Sequence, residues 1–425
     1  MRTSAQHIVL VYADWQWLGG SRLMGRLFVT PARGKEVFSF EYDTQWLKDG
    51  LAQTLDPALQ FYRGQQYLTP EIPNFGLFLD SSPDRWGRTL MKRREAIEAR
   101  EAGRPEKVLR ESDFLLGVYD LHRMGGLRFR TEADGPFRDD NAAYATPPYA
   151  SLRELENASR SLEKEGAERQ KDYREWLRLL IAPGGSLGGA RPKAGVVDPE
   201  GSLWIAKFPA LRDDYDVGAW EYVVHRLARE SGIDSSEAHL EKFGSPYHTF
   251  LTKRFDRTPT GERIHFASAM TLLGKTDGEG AEGASYLDLA EILQRQGARA
   301  RDDQEQLWRR IVFSVCVSNT DDHLRNHGFI LDPEGWLLSP AYDMNPVPYA
   351  EGLVLNISET DNSQDLEIVM EVAKQFGIKA VRAKEISAEV SGAVKRWRTV
   401  ASEVGLSRDE QGKMERAFRI ADATL

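Results

Sequence analysis

The chain has 425 residues, of which 41% are hydrophobic, and it carries a formal net charge of −9. This length predicts two or three lobes, and the composition excludes an intrinsically disordered protein. The acidic balance lacks the electrostatic signature of a nucleic-acid-binding protein, so we expect any DNA contact to run through a partner. A single cysteine excludes an internal disulfide framework, and no apolar run reaches the ~18 residues of a membrane span, so we expect a cytoplasmic protein.

The first segment of the sequence, to about Arg130, is predicted to mix strands with helical stretches. Apolar and aromatic runs separated by glycine- and proline-containing turns predict strands at Ile8 to Tyr12, Leu27 to Thr30 and Val37 to Tyr42. Residues 131–150 are polar and proline-rich without periodicity, a pattern typical of a linker or a long loop.

The remainder of the chain changes from mixed to helical. Residues 151–180 are charged and helical in pattern, and strands return from Ser186 to about Asp256 around one helix, Ala219 to Glu230. After about Leu287 the chain is predicted to be nearly all helix, apart from one hairpin. A strand-rich region followed by a helix-rich one indicates an α+β fold.

A glycine-rich segment, APGGSLGGARPKA, lies at Ala182 to Ala194. Glycines let a backbone approach a phosphate closely, and successive N–H groups can form an anion-binding nest. The segment is neither a GxGxxG motif nor a Walker A loop, because no Lys-Ser or Lys-Thr pair follows its last glycine. Taken alone, it is more typical of an ordinary turn.

The strand predicted after this segment carries a lysine. The pattern SLWIAKFPA projects Lys207 from one face, where it is placed to bind nucleotide phosphates as a strand lysine does in kinases. The next helix is predicted to carry Glu221 in its first turn, where it either pairs with Lys207 or favours the helix dipole. A further strand, His248 to Lys253, would offer its backbone to an adenine edge.

Three polar residues flank the predicted hairpin. An apolar helix is predicted from Asp302 to about Val317, and turn-forming residues follow it. Two short apolar runs joined by Asp-Pro-Glu-Gly then predict a tight hairpin, whose two ends lie together. We therefore expect Asp321 and Asn326, before the hairpin, to lie within reach of Asp343 after it.

This trio suits phosphoryl transfer. The Asp321 to Asn326 spacing equals that of the protein-kinase catalytic loop, in which an aspartate orients the substrate hydroxyl. Mg²⁺ needs only one or two protein carboxylates beside phosphate and water oxygens, which Asn326 and Asp343 would satisfy. Two other interpretations remain open: the residues only form caps and turns, or Asp321, His323 and His327 belong to a metal hydrolase.

In combination, these motifs resemble the HipA family, the serine/threonine kinase toxins of type II toxin–antitoxin pairs. The resemblance rests on the glycine loop, the strand lysine, KRFDR, NTDDHLRN and SPAYD in this order, together with GLFLDSSPDRWGRTLMKR and DFLLGVYDLHRMGGLRF in the N-terminal half. It implies a protein-kinase-like two-lobed fold with an extra N-terminal α/β subdomain and a helical C-terminal lobe. The implied boundaries are 1–130 for the N-terminal subdomain, 131–150 for a linker, 151–256 for the nucleotide-binding part of the kinase core, and 257–425 for the mainly helical catalytic lobe.

The resemblance also implies residue roles. Asp321 would be the catalytic base, and Asn326 and Asp343 would hold Mg²⁺. Ser186 would be autophosphorylated, which adds nearly two negative charges to an anion nest and switches the kinase off. His323 would have a structural or supporting role near the nucleotide. The residues implied to bind ATP are Ser186, Leu187, Gly188, Gly189, Ala190, Lys193, Lys207, Lys253, Phe255 and His323.

The implied partners are a HipB-like helix-turn-helix antitoxin and a protein substrate such as an aminoacyl-tRNA synthetase, with DNA contacted only through the antitoxin. The sequence departs from the family at Lys253, where an acidic residue is frequent, and at 264–268, where many members have a Gln-Glu-Asp run. Two alternative functions remain open, a non-catalytic partner of the antitoxin and a small-molecule kinase. Asp84, Arg85 and Trp86 either dock a partner or only cap and pack a helix.

Overall fold

The structure, a computed structural model, describes residues 6–32, 34–49, 53–69, 72–138, 146–181, 189 and 191–423. The chain divides into two compact units, the first formed by Met1–Arg212 with Lys253–Ala267 and the second by Asp213–Thr252 with Ser268–Leu425. The predicted N-terminal subdomain and the strand that carries Lys207 therefore belong to the same unit. Part of the predicted linker, 139–145, lies outside the described residues.

The first unit is built on a five-stranded antiparallel sheet in the order β4-β3-β2-β1-β5. All three strands predicted near the N-terminus are present, and β2 is much longer than its apolar run because it pairs along its length with both neighbours. A separate antiparallel hairpin, β6–β7, follows later in the unit. The strands are β1 (His7–Ala13), β2 (Arg22–Ala32), β3 (Lys35–Tyr42), β4 (Gln66–Tyr67), β5 (Leu127–Arg130), β6 (Lys193–Val197) and β7 (Leu203–Lys207).

Helices of the first unit cover the sheet through an aromatic core. Phe40 of the sheet meets Phe75 and Phe78, and Phe78 meets Phe129, with ring centroids 5.6–6.4 Å apart. The region predicted as charged and helical, 151–180, is helical and contains two α-helices. The helices are α1 (Thr44–Lys48), α2 (Gly76–Asp80), α3 (Arg85–Glu101), α4 (Glu111–Leu116), α5 (Leu152–Glu163) and α6 (Tyr173–Ile181).

A buried charged cluster joins residues 254–257 to residues 122–125 within this unit. Asp256 is fully buried and accepts hydrogen bonds from Arg254, Arg257 and the Gly125 N–H at 2.7–2.9 Å. Arg254 also donates to the His122 carbonyl at 2.8 Å. Burial raises the pKa of Asp256, but the two arginines outweigh it and hold that pKa well below its usual range. The charged part of the KRFDR motif thus joins two segments far apart in sequence.

Two histidines of the first unit are expected to make its stability pH-dependent. Burial lowers the pKa of His265 to about 3, and burial with the neighbouring arginines lowers the pKa of His122 to about 3. Both are neutral in the fold but become protonated near pH ~6.5 in the unfolded chain, so their stabilisation is present above that pH and is lost as the pH falls. When the pH falls from 8 to 5, protonation of each histidine in the unfolded chain should lower the free energy of unfolding by about 2 kcal/mol.

The variant His265→Phe tests this expectation, because a phenyl ring can keep the stacking of His265 on Trp15, whose ring centroid is 4.9 Å away. Urea unfolding followed by tryptophan fluorescence at pH 8 and pH 5 should show a smaller loss of stability in the variant than in the wild type. The same loss in both proteins would contradict a neutral, buried His265.

The second unit is mainly helical and has two antiparallel strand pairs, β8–β9 and β11–β12. The chain passes from one unit to the other within β9 and within β10. The strands are β8 (Ala238–Glu241), β9 (Thr249–Lys253), β10 (Phe266–Ser268), β11 (Gly328–Asp332) and β12 (Gly335–Leu338). The helices are α7 (Val217–Glu230), α8 (Ala269–Leu272), α9 (Tyr286–Gln296), α10 (Ala300–Val317), α11 (Leu366–Val372), α12 (Ala380–Val394), α13 (Trp397–Val404), α14 (Arg408–Met414) and α15 (Arg419–Ala423).

Helix α10 is the central helix of this unit. Its buried residues include Trp308, which donates to the Val369 carbonyl at 3.0 Å, and Arg310, which donates to the Ser339 carbonyl at 2.6 Å. A second centre of packing stacks Trp397 on Phe418 with centroids 4.5 Å apart, and Trp220 of α7 lies beside both rings. Helix α10 is thus anchored along its middle turns, and the predicted catalytic loop begins after its last residue, Val317.

The prediction of nearly continuous helix after about Leu287 is wrong for residues 339–365. This segment contains no helix and no strand longer than an isolated bridge. Pro340, Pro346 and Pro348 remove backbone donors and restrict φ, and Gly352 has a φ of +75°. The segment is nevertheless held by hydrogen bonds, including Leu353 N–H to the Asn362 carbonyl at 2.8 Å.

Candidate functional site

Helix α10 ends in a left-handed residue that is not glycine. Ser318 has a φ of +50°, and its hydroxyl lies 2.8 Å from both the Gln364 Oε1 and the Ala417 carbonyl oxygen. The next residue, Asn319, donates its N–H to the Ser314 carbonyl at 2.9 Å. A non-glycine residue in this region is strained and persists only where its surroundings hold it. The start of the following loop is therefore fixed by side-chain contacts from distant parts of the unit.

The loop brings Asp321 and Asn326 together. Asp321 is exposed, whereas Asn326 is buried, and the Asn326 Nδ2 donates to the Asp321 backbone carbonyl at 3.0 Å. That bond uses the nitrogen of the side-chain amide, so the Asn326 Oδ1 is the atom available for a cation. Asp321 thus has a solvent-accessible carboxylate on a loop closed by Asn326.

The segment after the hairpin returns to the same loop, as the sequence predicts. The hairpin pairs Phe329 with Leu338 and closes at Asp332 and Gly335. Beyond it, the Tyr342 hydroxyl donates to the Arg325 carbonyl at 2.8 Å, and the residues adjacent to these two are Asp343 and Asn326.

Asp343 itself has a backbone conformation that is unusual for its residue type. Its φ is +60°, and among the described residues only Ser318 and Asp343 have a positive φ without being glycine. Asn345, two residues later, donates its N–H to the Asn319 side chain at 3.0 Å. Strained residues of this kind cluster at functional sites, and the Asp343 side chain is half-buried.

Asp322, the residue after Asp321, belongs to a buried hydrogen-bond network. Asp322 accepts a hydrogen bond from the Tyr286 hydroxyl at 2.6 Å and lies 3.3 Å from the Ser314 hydroxyl. The His327 Nε2 lies 3.1 Å from Asp322, although it is not aligned for a hydrogen bond. Burial raises the pKa of Asp322, but His327 and Tyr286 outweigh it and leave that pKa below its ordinary value. Sequence reasoning missed Asp322, and the pattern Asp-Asp-His was the available signal.

Asp321 and Asp322 thus have different environments, because Asp321 is exposed whereas Asp322 is buried and hydrogen-bonded. His323 lies at the start of the short helical turn Leu324–Asn326, and its N–H donates to the Asp321 carbonyl at 3.1 Å, which is a structural contact. Among the residues that the structure describes, no group of three or more His, Cys, Asp and Glu side chains is arranged to hold a metal ion. The metal-hydrolase interpretation therefore lacks its ligand set.

Asn326 and Asp343 offer oxygen ligands, and this donor chemistry fits Mg²⁺. One carboxylate and one amide oxygen match the small number of protein ligands that Mg²⁺ takes beside phosphates and water. Two structural observations support this fit: the Tyr342 to Arg325 bond joins the neighbours of Asp343 and Asn326, and the Asn326 Nδ2 bond to Asp321 leaves the Asn326 Oδ1 for a cation.

The predicted nucleotide residues Lys193 and Lys207 lie in the first unit as direct cross-strand neighbours. Lys193 is buried, and Lys207 is 9% exposed. Within the glycine-rich segment, Gly189 has a φ of +80°, a conformation that favours glycine at this position. The predictions for Ser186, Leu187, Gly188 and Ala190 lie outside the described residues.

The N-terminus of α3 contacts the first of these lysines. The Asp84 Oδ2 lies 3.2 Å from the Lys193 Nζ, and both side chains are almost fully buried. The other carboxylate oxygen caps α3 by accepting from the Gly87 N–H at 2.7 Å, and the Trp86 indole donates to the Lys193 carbonyl at 3.1 Å. Burial raises the pKa of Asp84, and Lys193 counteracts this effect. The structure thus gives Asp84 and Trp86 capping and packing contacts.

Two further residues predicted to bind ATP make packing contacts in the first unit. The Lys253 ammonium lies 5.9 Å from the Trp204 ring centroid, and the Phe255 and Phe266 ring centroids are 5.9 Å apart. Arg254 and Asp256, which alternate with them, belong to the buried charged cluster. The alternation in KRFDR was the available signal for this cluster, because successive side chains of an extended segment face opposite sides.

The position predicted for Glu221 is wrong. Helix α7 begins at Val217, with Asp216 as its N-cap, and has no acidic residue in its first turn. Glu221 is one turn further along and buried, so the helix-dipole explanation loses its basis.

No helix in the described part of the chain combines the length and apolarity that crossing a membrane requires.

This chain shares its fold with a chain of the solved complex of HipA, HipB and operator DNA from the Shewanella oneidensis MR-1 toxin–antitoxin system. The match has a TM-score of 0.65 at 16% sequence identity and covers 97% of this chain and 95% of that one. The fold is thus the mixed α and β fold of HipA.

Curated relatives are similar over part of their sequence. Putative kinase Y4dM of Sinorhizobium fredii (strain NBRC 101917 / NGR234) is 31% identical over 176 residues, which cover 38% of this chain and 42% of the relative. A putative kinase of Haemophilus influenzae (strain ATCC 51907 / DSM 11121 / KW20 / Rd) is 30% identical over 143 residues, 31% of this chain and 42% of the relative. The matched region thus spans less than half the length of these relatives.

A family model described as HipA-like C-terminal domain matches residues 185–397, just over half of the chain. The chain therefore belongs to the HipA family. The matched range includes Lys193, Lys207, Asp321, Asn326 and Asp343, but it begins well after Asp84.

Proposed function

We propose that this protein is an ATP- and Mg²⁺-dependent serine/threonine protein kinase that acts as the toxin of a type II toxin–antitoxin pair. One observation carries the proposal: in a HipA-family chain, the exposed Asp321 lies on a loop that the Asn326 side chain closes at 3.0 Å. Among the described residues, no metal-hydrolase ligand set competes with this interpretation.

In the proposed reaction, the Asp321 carboxylate accepts the proton of a substrate serine or threonine hydroxyl. The hydroxyl oxygen forms a bond to the γ-phosphorus of ATP, the bond from that phosphorus to the bridging oxygen of ADP breaks, and ADP leaves. Asn326 and Asp343 would hold Mg²⁺, which would neutralise charge on the phosphates. Lys193 and Lys207 contact the phosphates, and His323 supports the loop through its backbone.

The remaining nucleotide roles extend this proposal. The glycine loop from Ser186 through Leu187, Gly188, Gly189 and Ala190 offers backbone N–H groups to phosphate oxygens, and Lys253 and Phe255 flank the adenine. Phosphorylation of Ser186 would place nearly two negative charges in that nest, repel the phosphates of ATP and inactivate the kinase.

The partner proposed for this chain is a HipB-like helix-turn-helix antitoxin, with DNA contacted through the antitoxin. The Shewanella oneidensis complex, whose HipA has the same fold, contains HipB and operator DNA and supports this assignment. The net charge of −9 also argues against direct nucleic-acid binding. An aminoacyl-tRNA synthetase is the proposed kind of protein substrate.

Mass spectrometry of the purified protein, incubated with Mg²⁺ and ATP, tests the kinase proposal. The wild type should gain one phosphate on the peptide that contains Ser186, and Ser186→Ala should not gain it. The matched variant Ser202→Ala, which changes a serine in the turn between β6 and β7, should be phosphorylated like the wild type. Unmodified protein that also forms no ADP with serine- and threonine-containing peptides would contradict the proposal. ADP formation with sugars or choline-like acceptors alone would favour a small-molecule kinase.

A further inference from the structure

The pair formed by Asp84 and Lys193 is unusual because it is buried and joins distant parts of the sequence. The carboxylate and the ammonium lie 3.2 Å apart, with side-chain exposures of 5% and 3%, and 109 residues separate them. A surface ion pair contributes little to stability, but a buried pair must recover the desolvation of both charges. A simple helix cap needs no such lysine, since the Gly87 N–H already satisfies the cap at 2.7 Å.

Lys193 also lies close to Gly189, the described residue of the glycine-rich segment. A Cβ atom added at Gly189 would come within 3.1 Å of the Lys193 Nζ, so the ammonium lies against the backbone of this glycine. Across the hairpin, Lys193 is the direct partner of Lys207. Like charges placed opposite one another on neighbouring strands repel, and this pair therefore costs stability unless other charges balance it. Asp84 supplies a negative charge at hydrogen-bond distance.

The geometry fixes Lys193 from two sides. The carboxylate of Asp84 holds its ammonium, and the indole of Trp86, two residues later, donates to its backbone carbonyl at 3.1 Å. Both contacts come from the first residues of α3 and its cap. A long, flexible lysine side chain is thereby restricted to one position, which lowers the entropy lost when it binds an anion.

We propose that Asp84 is a positioning residue for nucleotide binding, which holds the Lys193 ammonium beside Gly189, where it contacts a phosphate of ATP. The inference rests on the proposed kinase function and adds to it a residue of the N-terminal part of the chain. Asp84 lies outside the range 185–397 that matches the HipA-like C-terminal domain. Nucleotide binding by that domain thus depends on a residue that precedes it by about a hundred positions.

Calorimetric titration of the full-length protein with ATP and with adenosine tests this role. Asparagine caps a helix as well as aspartate does, so Asp84→Asn removes the charge and keeps the cap. We expect it to weaken ATP binding about ten- to a hundredfold, the effect of losing one charge-assisted hydrogen bond, and to change adenosine binding less than about twofold. Asp43→Asn, the same change at the N-cap of α1, should leave both affinities unchanged.

A double-mutant cycle separates positioning from general stabilisation. Lys193→Met should weaken ATP binding to a similar extent, and adding Asp84→Asn to it should cause no further loss beyond about twofold, because the shared contact is already absent. Independent, multiplying losses would overturn the inference, as would an equal loss of ATP and adenosine affinity in Asp84→Asn.

The outcomes also separate this inference from the function on which it rests. A wild type that binds ATP beside an Asp84→Asn variant that binds it equally well would overturn the positioning role alone. A wild type that binds neither ligand would overturn the kinase function and this inference together. If Asp84→Asn does not fold, Asp84→Glu serves instead, since it keeps the charge and displaces it by one methylene. It should weaken ATP binding selectively, and a parallel weakening of adenosine binding would overturn the role.

Discussion

Asp321→Asn is expected to lower the rate of phosphoryl transfer by about 10²- to 10⁴-fold, the usual contribution of one general acid–base group. The substitution removes the exposed carboxylate that accepts the hydroxyl proton. It keeps the shape of the side chain and leaves the backbone carbonyl, to which Asn326 donates at 3.0 Å, in place. ATP affinity should therefore stay within about threefold of the wild type. Single-turnover assays with a peptide acceptor measure the rate, and calorimetry measures the affinity.

A matched control lies in the hairpin that follows Asp321. Asp332→Asn makes the same chemical change at the end of β11, where the side chain accepts from the Glu334 N–H at 3.1 Å, and asparagine can accept that bond too. It should leave the rate unchanged. An Asp321→Asn variant that transfers phosphate at the wild-type rate would remove Asp321 from the mechanism, and the buried Asp322 could not replace it because Tyr286 already binds its carboxylate at 2.6 Å.

The elements that sequence predicts well are those whose cause is local. The hairpin after the catalytic loop is found where its apolar runs and its Asp-Pro-Glu-Gly turn place it, at Gly328–Asp332 and Gly335–Leu338. Helix α10 follows its apolar periodicity to within two residues. Because a hairpin returns the chain to its starting point, the approach of Asp343 to the Asn326 segment also follows from local rules, and the Tyr342 to Arg325 bond is its structural counterpart.

The contacts that could not be predicted from the sequence join residues far apart in the chain. Tyr286 and Asp322 are 36 residues apart, and Asp84 and Lys193 are 109 residues apart. Neither pair leaves a periodic signal, since Asp84 and Asp322 alone resemble cap or turn residues and their partners carry no mark of the pairing. The pairing is decided by the packing of α9 against α10 in one unit, and of α3 against the β6–β7 hairpin in the other. For Glu221, a difference of two residues in the start of α7 changed the physical interpretation.

Asp343→Asn is expected to raise the Mg²⁺ concentration required for half-maximal activity by at least about tenfold. Asparagine adopts the left-handed conformation at least as readily as aspartate does, so the φ of +60° at this position is retained and only the charge is lost. Asp365→Asn, the same change at the N-cap of α11, provides the control. Kinase assays over a range of Mg²⁺ concentrations at saturating ATP measure the effect.

The form of the Mg²⁺ response distinguishes a ligand from a structural residue. A lost ligand weakens the cation site, so excess Mg²⁺ should restore part of the activity of Asp343→Asn. A residue needed only for the shape of the loop would lower the maximal rate without changing the Mg²⁺ requirement. That second result would assign the strain at Asp343 to the turn after β12, and Asn326 would then need a different partner for the cation. Partial rescue by excess Mg²⁺ in Asp343→Asn, absent in Asp321→Asn, would distinguish the metal ligand from the base.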